Sequence, residues 1–118
     1  MQAGIHISTP SESFYESVHG RTQRIERGLK PGEGMKVTAH VGGRDPINVD
    51  AIGYDGQFVI VLWGTDPQTG NDCIILAHMS TVQLVVEVLS AGQQSHKTIG
   101  FKGDVTVTPD ESAPTTGA

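Results

Sequence analysis

The chain has 118 residues, 36% of them hydrophobic and 18% charged, and carries a formal net charge of −5. That length fits one domain with a modest core, and the acidic balance repels polyanions, so any contact with nucleic acid has to come from a local patch. The single cysteine, Cys73, excludes an intrachain disulfide framework and has no Cys or His partner at zinc spacing, and no segment approaches the roughly 20 apolar residues that span a bilayer.

Residues 1–12 read as a flexible lead-in, in which Ile5-His6-Ile7 is too short to make an element of its own. The first ten residues lack the basic start and apolar run of a signal peptide, so the expectation is a cytoplasmic protein without membrane contact. From Ser13 the pattern is helical. Ser13 and Glu16 have the spacing of a capping box, and Phe14, Val18, Ile25 and Leu29 recur at intervals of four, seven and four along one face. Gly28, then Pro31, Gly32 and Gly34, supply the stop. Gly20 in mid-helix weakens the helix by about 1 kcal/mol relative to Ala, so the helix is expected to lie on the rest of the fold for support.

Residues 35–40 and 47–52 alternate apolar with polar, 58–63 and 74–76 are nearly continuous apolar runs, and 82–88 completes a set of five strands. Gly42-Gly43, Asp55-Gly56, residues 64–72 and Met79-Ser80-Thr81 punctuate them. Continuous runs imply burial on both faces, or burial on one face with a subunit contact on the other. Cys73 within such a run reads as an inert core thiol. Five short strands with tight turns predict a mainly β fold closed into a small barrel, with the N-terminal α-helix packed on it, over residues 13–89. Residues 90–118 read as a polar C-terminal extension, with one exposed strand at 101–107 and a disordered tail from 108.

Three stretches resemble the Sm-like (LSm) family, and within it the bacterial RNA chaperone branch, Hfq. Arg24-Ile25-Glu26-Arg27 is similar to the Arg-Arg-Glu-Arg of that branch's basic outer rim. Tyr54-Asp55, then Gln57 to Leu62, resembles its Phe-Asp-Gln-Phe-Val-Ile-Leu-Leu with Gly56 inserted. Leu76-Ala77-His78-Met79-Ser80-Thr81-Val82 resembles its Tyr-Lys-His-Ala-Ile-Ser-Thr-Val, one residue shorter. The likeness spans residues 24–88, and the order of a short helix before five strands is the order of that fold.

The resemblance implies a five-stranded Sm-like (SH3-type) barrel that pairs its fourth strand with the fifth strand of the next subunit. The result is a homo-oligomeric ring of five to seven copies that binds single-stranded RNA without catalysing a reaction. It also implies a pore-side RNA site in which Gln57 supplies a hydrogen bond, Phe58 a stacking face and His78 a donor. The competing reading of these residues makes Phe58 core and His78 a capped turn residue. Two departures stand out: Ala77 replaces the family's Lys before the His, and Leu76 replaces the aromatic before that. The connection over residues 64–72 is also longer and more acidic.

Charge gives a separate argument. Arg21, Arg24, Arg27, Lys30 and Lys36 are five of the eight basic residues, with only Glu26 and Glu33 as acids among them. Arg21, Arg24 and Arg27 recur every three residues, so they form a stripe that is either an RNA-tracking rim, if repeated around a ring, or a solvated helix face paired with acids of the barrel. His6, His19, His40 and His96 have no metal-ligand spacing and read as surface or core histidines; no motif calls for a cofactor, and no nucleophile, base and acid set marks an enzyme. Trp63, at a strand end, reads as an interface anchor rather than core. The rival function is a structural or assembly protein of the kind phages encode, using the ring for protein contacts only; the acidic balance and Ala77 favour it.

Overall fold

A computed structural model describes residues 7–90, 92 and 98–107. Helix α1 runs Pro10–Arg27. It begins one turn earlier than the Ser13–Glu16 spacing predicts, because Thr9 and Glu12 have the same spacing and Pro10 sits where its missing N–H costs nothing. The Glu12 N–H donates to Thr9 Oγ1 at 3.1 Å. Tertiary contacts reinforce that start: the buried Ser11 donates its N–H to the Gln57 carbonyl (2.8 Å) and its hydroxyl to the Gly56 carbonyl (2.6 Å). The boundary at residue 12 therefore falls inside the first helical turn, while residues 1–6 of the expected lead-in lie outside the described residues. At the other end the Gly28 N–H closes onto the Arg24 and Ile25 carbonyls, as the stop signal predicts. Phe14, Val18, Ile25 and Leu29 pack against the core, and Tyr15 and Thr22 are buried with them.

The strands are β1 (Gly34–Val41), β2 (Ile47–Asp55), β3 (Val59–Thr65), β4 (Asp72–His78), β5 (Val82–Leu89) and β6 (Gly100–Asp104). The first five form an antiparallel path in the order β4-β3-β2-β1-β5. The core lies where α1 covers this path: Met35, Val37, Ala39, Ile47, Val49, Ile52, Ile60 and Leu62 close around Tyr15 and Ile99.

The path has two ends, and among the described residues no ladder joins β4 to β5. The expected closure into a barrel is therefore not made within the chain. Only the 3-10 turn Met79–Thr81 separates β4 from β5, yet β5 pairs along its length with β1, from Gly34↔Leu89 to Val41↔Val82. That choice leaves the outer edge of β4 open.

The continuous apolar character of 74–76 does not mean burial on both faces. Exposure alternates along β4, with Ile74 61% and Leu76 66% exposed, and Val85 and Val88 of β5 are also exposed.

Strand β2 changes partner along one edge. Its start pairs with β1 (Asn48↔Thr38, Ile47↔Ala39), the β2–β3 register shifts between Val49 and Ala51, and beyond that point β2 pairs in parallel with β6. The strand expected at 101–107 is thus shorter and less exposed than predicted: Ile99 is buried, Phe101 packs on the core, and a 3-10 turn occupies Val105–Val107. The tail expected from 108 lies outside the described residues. Aromatic rings hold β6 to α1. Phe101 stacks on His19 with centroids 4.0 Å apart and meets Tyr15 edge-on at 5.7 Å, and Tyr15 in turn touches Tyr54 at 5.1 Å. The Tyr15 hydroxyl accepts the Gly103 N–H at 2.9 Å. Cys73 is half-buried at the margin of the core. Among the described residues, no helix is long and apolar enough to cross a membrane.

Candidate nucleic-acid interface

Two turns meet at one end of the β3–β4 ladder. The last rung pairs Val59 with His78, and the next backbone contact is the Met79 N–H donating to the Phe58 carbonyl at 2.7 Å. Phe58, just before β3, thus sits opposite Met79 and diagonal to His78 at the end of β4. Their rings lie 5.6 Å apart at 7° to one another, an offset stack. Phe58 is 47% exposed, so it is not a core residue. Gln57 is exposed beside it, with its carbonyl tied to the start of α1 through Ser11. The turn is thus braced from behind while its side chains face solvent.

His78 also caps the 3-10 turn: its Nδ1 accepts the Ser80 N–H at 3.2 Å and lies 2.8 Å from the Ser80 hydroxyl, while Thr81 Oγ1 donates to the His78 carbonyl at 2.8 Å. The capping and stacking roles are therefore compatible. Ser11 and Ser80, which support this platform, are absent from the sequence-based candidates. The His78-Met79-Ser80 spacing, an acceptor side chain two residues before a backbone donor, is the signal that reveals Ser80.

Arg21, Arg24 and Arg27 are all exposed on α1, and Arg24 and Arg27 lie in its last turn. Among the described residues none of the three forms an ion pair; Arg21 Nε donates to Ser17 Oγ at 3.3 Å. The two acids in the stripe bond elsewhere, Glu26 accepting from Thr98 Oγ1 and Glu33 from the Lys30 N–H. The structure does not bring these arginines to the aromatic platform. The platform is tied to the N-terminal turn of α1 through Ser11, and ten to sixteen residues of helix at ~1.5 Å each put the arginines roughly 15 to 24 Å along its axis.

A shallow cleft of about 330 Å³ opens at the other end of the β3–β4 ladder, lined by Asp50, Trp63, Gly64, Asp72, Cys73 and Ile74. Trp63 is half-buried there, pairing with Ile74 across the ladder. The long β3–β4 connection is pinned to the β1–β2 turn by Arg44–Asp66 (3.7 Å) and by Gln68 Nε2 donating to Asp45 (3.1 Å). Among the described residues, no three or more His, Cys, Asp or Glu side chains gather to hold a metal. No family model, curated protein or solved structure matches this chain.

Proposed function

We propose that this chain is an Sm-like protein that assembles into a ring of five to seven copies and binds single-stranded RNA, without catalysis, in the cytoplasm. The observation that carries the reading is the exposed, nearly parallel Phe58–His78 pair with Gln57 beside it. Flat, half-exposed aromatic faces at a braced turn favour stacking of unpaired bases, a contact worth about 1–3 kcal/mol per base. Arg21, Arg24 and Arg27 then follow the phosphates on the helix side, and repetition around a ring multiplies modest sites through effective concentration.

The open edges support assembly. Strands β4 and β5 lie at opposite ends of the sheet path, both carry exposed apolar side chains, and pairing β4 of one copy with β5 of the next satisfies both edges by a heterologous contact. A helix followed by five strands, with the fourth and fifth at the edges, also fits the Sm-like resemblance of residues 24–88.

An assembly protein remains the second reading, favoured by the net charge of −5 and by Ala77 beside His78. Arg24→Glu with Arg27→Glu separates the two. On the RNA reading the double variant still assembles but loses at least tenfold in affinity for single-stranded RNA at low salt, measured by fluorescence anisotropy. An assembly protein shows no RNA-dependent signal in either form.

A further inference from the structure

A backbone amide can only donate, so the Ser80 N–H directed at His78 Nδ1 identifies that nitrogen as a lone-pair acceptor. The Ser80 hydroxyl lies 2.8 Å from the same atom, whose single lone pair already faces the Ser80 N–H. An imidazole whose Nδ1 accepts in this way is neutral and carries its proton on Nε2. The parallel stack on Phe58 holds the ring plane, and rotating the ring by half a turn replaces Nδ1 with a carbon and breaks the cap.

We infer that Ser80 is a positioning residue that locks His78 as its Nε2–H tautomer, so that the platform offers its ligand one neutral N–H donor beside the exposed face of Phe58. This rests on the RNA reading for the identity of the ligand: a base stacked at the platform meets His78 through an acceptor atom on its edge. Among the described residues Nε2 has no partner of its own, so the donor is available. The residue before it is Ala77, so no cation from that position clamps a phosphate there. Binding at the platform accordingly contributes little to the salt dependence of RNA affinity. That dependence belongs to Arg21, Arg24 and Arg27, each phosphate contact adding a slope of about −0.7 in log K against log salt for a single strand.

The test uses the full chain with ¹⁵N-labelled histidine and long-range ¹H–¹⁵N correlation, the His78 signals being assigned by their loss in His78→Asn. A pyridine-type Nδ1 with a protonated Nε2 is expected; the reverse pattern, or an average of the two, overturns the inference. Ser80→Ala keeps the N–H and should retain the pattern, whereas Ser80→Pro removes the N–H and should let the proton distribute over both nitrogens. If the proline variant does not fold, the unmodified chain decides the tautomer by itself.

For the ligand, a uridine hexanucleotide is titrated against the chain and His78→Phe, which keeps a flat ring but has no donor. An affinity loss of about five- to tenfold with an unchanged salt slope is expected. Equal affinity overturns the donor role. A chain that shows the Nε2–H pattern yet binds no RNA overturns the RNA reading and the ligand half of this inference, and leaves the locked tautomer standing.

Discussion

The fold treats two of its strand edges in opposite ways. Along the second half of β2 the edge is filled by β6, at a point where Gly53 lets the chain approach closely: a Cβ there would lie 3.0 Å from the Gly103 carbonyl and 3.2 Å from Val105 Cγ1. Aromatic contacts from α1 then hold β6 in place. Along β4 the edge is left open, with Ile74 and Leu76 in solvent. An edge covered by the chain's own backbone needs no partner, whereas an open edge carrying large apolar side chains is a site of association. The contrast teaches that apolar density alone does not mark the core here, since the half-buried β6 segment is rich in glycine while β4, rich in isoleucine and leucine, exposes Ile74 and Leu76.

The largest effect is expected where the open edge is made repulsive. Ile74→Glu with Leu76→Glu should abolish the proposed assembly while leaving the fold of each chain within about 0.5 kcal/mol per substitution, because both side chains are exposed. Analytical ultracentrifugation and thermal unfolding at low concentration read the two parts separately. Retention of the oligomer would place the contact on another surface.

The covered edge responds in the opposite sense. Gly53→Val drives a branched side chain into the Gly103 carbonyl, Val105 and Trp63, and should cost about 1–3 kcal/mol in denaturant unfolding without acting on β4. Assembly, measured where the variant is still folded, should persist.

A smaller effect sharpens the same comparison at the Tyr15 clamp. Tyr15→Phe removes the acceptor of the Gly103 N–H and should cost about 1 kcal/mol. Burial raises the Tyr15 phenol above the ordinary tyrosine value of 10.0, against the lowering effect of the Gly103 N–H, and burial raises Tyr54 in the same way. A phenol whose value is raised by folding contributes stability that is complete below its unfolded value of about 10 and is lost as pH rises through the folded one. The chain should therefore lose stability above pH ~10, and Tyr15→Phe should lose less, with Tyr54 still contributing to the fall. Urea midpoints between pH 8 and 11 measure this.

Much of the frame is legible in the sequence because it is local. The helix and the five strands of residues 34–89 follow from apolar spacing and from the Gly, Pro and Asp turns between them. The start of α1 is not, because Thr9–Glu12 and Ser13–Glu16 satisfy the same rule and the choice is reinforced by Ser11 bonding to Gly56 and Gln57, some 45 positions away. The parallel pairing of β6 on β2 is equally hidden: Gly100–Asp104 has little strand propensity, and its place depends on Gly53 and on rings from α1. At the candidate site, the closeness of Phe58 and His78 in space follows from the β3–β4 pairing, but their stacking does not, because the register sets His78 opposite Val59 and Phe58 opposite Met79, and the rings meet only where the chain leaves the ladder. The separation of the arginine stripe from that platform is not readable, because it depends on which end of α1 is fastened to the β2–β3 turn. Nor does sequence reveal the orientation of His78, which the Ser80 N–H sets.

The most direct test of the central claim is native mass spectrometry of the chain, alone and mixed with short uridine-rich and adenine-rich RNA. The account predicts a closed assembly of five to seven copies that takes up RNA, with Phe58→Ala reducing uptake but not assembly. A monomer under these conditions, or a ring that stays empty at low salt, would contradict it.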